Sequence, residues 1–240
     1  MPVRYDSKST STAKFVAKME DVLSVYERPY DPDYPVVCID EKNKELRGDT
    51  EGRKPLPPRP SLDKEAAHDA REDYGYKRGR GGMANMFMIC EPLRGWRRVA
   101  VTERRTAQDF AKQLHKLVDQ DFPQAKKIVL ITDNLNTHTM WSLYQTFPPE
   151  EARRILDKLE WHYTPEHGSW LNMAEIELSV LQRQCLRRRI PDAKTLEHEG
   201  NAWFAQRNSL NTKIKWQFTT KDARTKLRSL CPVISLLAKH

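Results

Sequence analysis

The sequence has no long hydrophobic run. Its apolar stretches are short and interrupted by charge, and its mean hydropathy is −0.77. The N-terminal residues, MPVRYDSKST, lack the apolar core of a signal peptide. We therefore expect no membrane span, no membrane partner and a cytoplasmic location.

Cysteine is scarce and is not arranged for metal binding. Four cysteines lie far apart in the chain, at Cys38, Cys90, Cys185 and Cys231. They form no CxxC pair, which favours reduced thiols over disulfides. The spacing of His138, His162 and His167 matches no structural zinc site, so hydrogen bonding within the fold is the favoured interpretation of these histidines.

Negative charge is in deficit. The 240 residues contain 41 Lys and Arg against 33 Asp and Glu, a net charge of +8, and the pI is near 9.3. This balance favours a polyanionic partner over an acidic protein or a neutral metabolite. The length suits one large α/β domain, with or without appendages.

The hydrophobic pattern predicts a mixed α/β fold without internal repeats. An amphipathic helix over 11–27 precedes three strands, the first of which covers 35–40. A helix over 106–122, a strand over 128–132, a helical stretch, a short strand and a long helix over 171–189 follow. Two further helices are predicted near the C-terminus.

Two of the predicted strands end in an acid. The strand PVVCID ends on Asp40, and IVLIT is followed by Asp133. Functional groups gather at the carboxyl ends of strands in open α/β sheets. If these two strands are neighbours, the carboxylates can share a Mg²⁺ ion. Taken singly, each acid is more readily explained as a cap or turn residue.

Several long motifs then resemble one family across nearly the whole chain. These are FVAKMEDVLSVYERPYDP, PVVCIDEKNKEL, EPLRGWRRVAVTERRTAQDFA, ITDNLNTHT, TPEHGSWLNMAEIELSVLQRQCL and FTTKDARTKL. In this order they resemble the DDE transposases of the mariner superfamily, in its bacterial insertion-sequence branch. The resemblance implies a ribonuclease-H-like fold with a mixed central sheet, flanking helices and extra C-terminal helices.

The resemblance also implies three segments and a catalytic triad. Residues 1–34 would form an N-terminal helix and linker, 35–190 the catalytic domain, and 191–240 a C-terminal helical extension. The three metal-binding catalytic acids would be Asp40, Asp133 and Glu175.

Helix geometry alone does not select the third acid. Glu175 and Glu177 flank opposite sides of the apolar stripe of their helix, so they cannot both face one metal site. Only the resemblance selects Glu175. Many relatives have a proline two residues before this acid, where this chain has Met173.

The activity that the resemblance implies is DNA cleavage and strand transfer at transposon ends. Two Mg²⁺ ions about 3.5–4 Å apart, for which Mn²⁺ can substitute, would serve a polynucleotidyl transferase of this kind. The expected partners are double-stranded DNA and a second copy of the chain, in a bacterial cytoplasm and on the nucleoid when bound. We expect the N-terminal helix-turn-helix domain of such enzymes to be missing.

Two alternatives remain open at this point. The chain could be a catalytically silent DNA-binding or dimerising fragment that acts as a regulator or remnant. It could also be a nuclease on the same fold that does not transpose.

Further residues are weaker candidates for binding. Basic clusters predict DNA contacts at Lys77, Arg78, Arg80, Arg187 and Arg188, the last two, with Arg189, at the end of the catalytic helix.

Side chains near Asp133 and Glu175 have two interpretations each. Asn134, Asn136 and His138 could support the metal site or cap the following helix. Trp170 could stack on a base, but packing is favoured.

Overall fold

The computed structural model describes residues 7–47 and 82–227, with side chains from residue 12 onward. The described elements are α1 (Ser7–Tyr26), β1 (Val36–Glu45), β2 (Met83–Glu91), β3 (Trp96–Thr102), α2 (Ala107–Lys116) with a π-helical turn (Leu117–Asp121), β4 (Ile128–Thr132), α3 (Trp141–Tyr144), α4 (Pro149–Asp157), β5 (Leu159–Tyr163), a 3₁₀ turn (Ser169–Leu171), α5 (Met173–Gln184), α6 (Ala193–Ser209) and α7 (Thr220–Lys226). The predicted element order is confirmed over these ranges.

The strands form one mixed five-stranded sheet in the order β3-β2-β1-β4-β5. β2 pairs antiparallel with β1 on one side and with β3 on the other, so β1 and β3 run in the same direction. β4 runs parallel to β1 and to β5. α3 and α4 supply the crossover that two parallel strands require, and Pro149 occupies the first turn of α4.

Helices cover both faces of the sheet. Alternate residues of each strand point to opposite sides, so the apolar strands present hydrophobic side chains on both faces. On one face, Cys38, Met86 and Met88 share a core with residues of α1, α5 and α6. On the other, Val37 and Phe87 pack with residues of α2 and α4. The sheet is thus buried on both sides, and polar groups reach solvent at the ends of the strands.

β1 does not end on Asp40, contrary to the sequence prediction. It continues to Glu45, because residues from Cys38 to Glu45 pair with β2. Its parallel pairing with β4 stops at Cys38. Asp40 therefore lies inside a strand but beyond the last residue of β1 that is paired with β4.

The long helix predicted over 171–189 is shorter than expected. α5 ends at Gln184. The side chains of Leu186 and Ile190 are fully buried, so the chain turns back into the core instead of continuing along the helix axis. The Nζ of Lys44 donates to the carbonyl oxygen of Leu186 at 2.7 Å, which satisfies an acceptor beyond the helix end.

A buried charge network fixes α5 on the sheet. Glu177 is 1% exposed and lies between two guanidinium groups, 3.2 Å from Arg97 Nε and 3.0 Å from Arg207 Nη2. Arg97 belongs to β3, and Arg207 belongs to α6. Burial lowers the pKa of Arg97, and the charge of Glu177 opposes that shift. The network ties α5 to β3 and α6.

Glu91 is a buried carboxylate that should make stability depend on pH. Burial raises its pKa from 4.5 to about 7, with Arg94 opposing the shift, and its side chain is 1% exposed. The folded state then holds a proton that the unfolded state releases, so stability falls as pH rises from 4.5 to about 7. We expect Glu91→Gln to remove up to about 3 kcal/mol of this fall.

Urea unfolding of the wild type and of Glu91→Gln at pH 5 and pH 8 measures this effect. The variant should gain stability relative to the wild type at the higher pH. Parallel pH profiles for the two proteins would contradict the prediction. Glu166→Gln, an exposed glutamate in the turn after β5, is the control.

Candidate active site

The three acids predicted from the family resemblance line one pocket, which lies beside the carboxyl end of β4. Asp133 directly follows the last residue of β4, and Asp40 lies on the neighbouring strand just past the end of their pairing. Glu175 lies in the first turn of α5. The pocket has a volume of about 240 Å³ and is lined by Asp40, Glu41, Lys42, Asp133, Ser169, Asn172, Glu175 and Leu178.

Asp40 lies close enough to the other acids of the pocket for their charges to act on its pKa. Burial raises its pKa to about 7, and the charges of Asp133, Glu41 and Glu175 add to the shift. The backbone N–H of Glu41 donates to Asp40 Oδ1 at 2.8 Å and opposes it. The carboxylates of the pocket therefore repel one another in the absence of a cation.

Asp133 is held by a buried histidine. His138 Nδ1 donates to Asp133 Oδ1, and His138 Nε2 lies 2.8 Å from Glu41 Oε2. His138 and Glu41 are each 1% exposed, and the ring of Phe110 packs on the imidazole at 4.4 Å between centroids. His138 thus links the loop after β4 to β1.

The imidazole of His138 is held in its charged form by these contacts. Burial alone would lower its pKa, but the carboxylates of Asp133 and Glu41 outweigh burial and raise the pKa to about 9. Both ring nitrogens then carry protons, which suits two carboxylate partners. Because Oδ1 of Asp133 receives the histidine and the backbone N–H of Leu135 at 3.3 Å, Oδ2 is the oxygen left for a ligand.

Glu175 is positioned by an asparagine at the start of its helix. Asn172 is fully buried and caps α5, its side-chain oxygen accepting from the backbone N–H of Ala174 at 3.1 Å. Its Nδ2 donates to the carbonyl oxygen of Ile39 at 2.8 Å. One side chain therefore joins the helix that carries Glu175 to the residue before Asp40.

Met173 is the residue at which this sequence departs from the family pattern. It is the first residue of α5, a position that proline readily occupies. Here the backbone N–H of Met173 donates to the hydroxyl of Tyr26 at 3.4 Å, a contact that proline cannot make.

Other sequence candidates are placed as follows. Asn134 and Asn136 are exposed in the loop before α3; they do not cap that helix, whose N-cap is Met140 without a side-chain hydrogen bond. Their support of a metal site stays a prediction. Trp170 is 41% exposed and stacks on Trp216 with 6.4 Å between ring centroids.

The basic clusters are only partly described. Lys77, Arg78 and Arg80 lie outside the described residues. Arg187 and Arg188 are exposed, but they follow the end of α5 instead of belonging to its last turn, so the expected interaction with the helix dipole does not apply. Arg188 makes an ion pair with Glu199.

A second acidic group lies away from this pocket. His115, Asp119 and Glu151 approach one another on α2, the π-helical turn and α4. The guanidinium of Arg154 donates to both acids, at 2.8 Å to Asp119 and at 2.7 and 2.8 Å to Glu151. Both carboxylates already bind the guanidinium of Arg154, so we interpret this group as an ion-pair network.

Two site residues were not anticipated from the sequence. Asn172 could have been found, because an asparagine directly before a predicted helix is a strong N-cap signal. Glu41 could not have been found from the sequence, because its partner His138 lies far along the chain. Strand alternation also turns Glu41 away from Asp40.

Comparison with known proteins agrees with this architecture. The Mos1 mariner paired-end complex with Mn has a TM-score of 0.54 at 15% identity, over 88% of this chain and 60% of that chain. The corresponding complex with Mg has a TM-score of 0.55 at 14% identity, over 96% and 64%. This chain thus spans less than two thirds of those chains. The fold they share confirms the predicted ribonuclease-H-like class.

A search of curated protein sequences found no match. Among the described residues, no helix has the length and hydropathy to cross a membrane. The model of the family described as DDE superfamily endonuclease matches residues 35–197, well over half of the sequence. By this match, and by the fold that carries its three acids to one pocket, the chain belongs to the DDE superfamily of endonucleases.

Proposed function

We propose that this chain is the catalytic part of a DDE transposase that cleaves DNA at transposon ends and transfers the freed strand. The observation that carries the proposal is the shared pocket of Asp40, Asp133 and Glu175, which come from two neighbouring strands and a helix. The fold relatives support it, since they are paired-end and strand-transfer complexes of the Mos1 transposase.

The donor set of the pocket fits Mg²⁺ or Mn²⁺. Three carboxylates offer only oxygen ligands, which hard divalent cations prefer. Burial raises the pKa of Asp40, and the charges of Asp133, Glu41 and Glu175 raise it further, so a bound cation would relieve repulsion among these carboxylates. Two ions bound there would supply the activation of a water or a DNA 3′-hydroxyl and the stabilisation of the leaving oxygen.

The chain's own residues position the carboxylates. His138 orients Asp133, Asn172 sets the start of α5 against β1, and the Glu177 network holds the opposite side of α5. Groups held on strands and helices by buried partners keep their geometry more closely than groups on loops. The site is therefore preorganised for ligands shared between elements.

DNA is the substrate that the charge and the fold relatives favour. A net charge of +8 suits a polyanion, and we assign the backbone contacts to Lys77, Arg78, Arg80, Arg187 and Arg188. Cutting and joining two transposon ends calls for two copies of the chain, so we propose a homodimer on double-stranded DNA.

Calorimetric titration with Mn²⁺ tests the site without DNA. We expect the wild type to bind Mn²⁺ and each of Asp40→Asn, Asp133→Asn and Glu175→Gln to bind at least tenfold more weakly, because each loses a charged ligand. Glu166→Gln, which removes an exposed glutamate, should bind as the wild type does.

The same proteins are then assayed for nicking of supercoiled plasmid in Mg²⁺, Mn²⁺ and EDTA. Metal binding and nicking together support the proposal. If the wild type neither binds Mn²⁺ nor nicks DNA but still binds duplex DNA, the chain is instead a silent DNA-binding fragment. Nicking without joining of an end substrate would indicate a nuclease that does not transpose.

A further inference from the structure

Lys42 is a charged group of the pocket to which the proposed function gives no role. In the β1–β2 register Asp40 pairs with Met88 and Lys42 with Met86. Both methionines belong to the core under α5, and residues two apart in a strand share a face. The Lys42 side chain accordingly lines the same pocket as the three acids.

The ammonium group of Lys42 is not used by the fold. Its side chain is exposed, and within the described ranges it forms neither a hydrogen bond nor an ion pair. Lys44 lies two residues further on the same face and differs in both respects. Its Nζ donates to the Leu186 carbonyl at 2.7 Å, and burial lowers its pKa.

A lysine beside three carboxylates normally pairs with one of them. Lys42 does not, although Asp40, Asp133 and Glu175 all line its pocket. Glu41, the fourth acid, is already compensated by His138 at 2.8 Å. The positive charge of Lys42 is therefore available to a ligand that enters from solvent.

We propose that Lys42 contacts a backbone phosphate of the DNA strand held in the carboxylate pocket. The identity of the ligand as DNA rests on the proposed function. Without metal ions the three carboxylates repel a phosphodiester, and Lys42 supplies an attraction that does not depend on those ions. A lysine suits this task, because its flexible stem carries a compact charge with three donors to a phosphate oxygen.

Fluorescence anisotropy with a labelled duplex oligonucleotide tests the contact in EDTA, using the full chain in about 50 to 200 mM KCl. Lys42→Ala should weaken binding about three- to tenfold at the lowest salt and reduce the slope of log K against log [KCl] by about one. Lys42→Arg should restore the slope. Lys44→Ala, the matched lysine with a structural partner, should leave it unchanged.

Mn²⁺ calorimetry separates a DNA contact from a metal-site role. Lys42→Ala should bind Mn²⁺ at least as tightly as the wild type, because a neighbouring positive charge is removed. An unchanged salt slope in Lys42→Ala, or an equal fall in Lys44→Ala, overturns the proposal.

The two proposals fail in different ways. A Lys42-dependent slope in a chain that never nicks DNA overturns the proposed function and supports the phosphate contact. Metal-dependent nicking together with an unchanged slope in Lys42→Ala overturns only the phosphate contact.

Discussion

Replacing Asp133 with asparagine is expected to lower metal-dependent nicking on the order of a thousandfold, about 4 kcal/mol of activation free energy. The amide keeps an oxygen that can accept from His138 Nδ1, so the loop after β4 should stay in place. What is lost is the negative charge offered to a divalent ion. DNA binding in EDTA should be kept or improved, because one source of phosphate repulsion disappears.

Single-turnover nicking rates and anisotropy on the same preparation measure both properties. Asp157→Asn is the matched control. Asp157 is an exposed residue of α4 in a surface ion pair with Arg153, and such pairs contribute little to stability. Loss of DNA binding in step with nicking would indicate a damaged fold. Retention of full nicking by Asp133→Asn would remove Asp133 from the metal site.

Replacing Glu177 with alanine is expected to destabilise the fold by about 3–5 kcal/mol. The substitution leaves Arg97, 1% exposed, and Arg207, 15% exposed, without the carboxylate between them. Two buried guanidinium groups then repel each other in a medium that solvates them poorly. Urea unfolding followed by circular dichroism should show a lower midpoint with a similar m-value.

Glu175→Ala provides the comparison from the same helix. Glu175 is only partly buried and lines the solvent-open pocket, so its removal should change stability by no more than about 1 kcal/mol while abolishing nicking. Glu177→Ala would thus lower stability, whereas Glu175→Ala would abolish nicking with little change in stability. Equal stabilities for the two variants would show that the Glu177 network does not support the fold.

Much of the fold was predictable from the sequence, because its signals are local. The strand Ile128–Thr132 and the helix start at Pro149 follow from short patterns of apolar residues and proline. The extent of β1 was not predictable in this way. Its second half, EKNKE, is polar and is kept in the strand by pairing with β2, which is far along the chain.

The site shows the same division between local and long-range information. Strand ends drew attention to Asp40 and Asp133, and family resemblance selected Glu175. Nothing local distinguishes Glu175 from Glu177, because the difference depends on Arg97 and Arg207 arriving from β3 and α6. The assignment of the three acids as metal ligands stays a prediction until the titrations are made.

The crossover between β4 and β5 has a consequence for recognising such proteins. α3 and α4 leave the sheet after Asp133 and pack in the core of the opposite face from α5. An insertion or deletion in the α3–α4 connection would change the number of residues between Asp133 and Glu175. The pairing of β4 with β5 could stay the same. The count of residues between these acids therefore depends on the length of this connection and not on the geometry of the pocket. A search keyed to the acid after β4 and to the helix cap at Asn172 would find relatives that a search keyed to that count would miss.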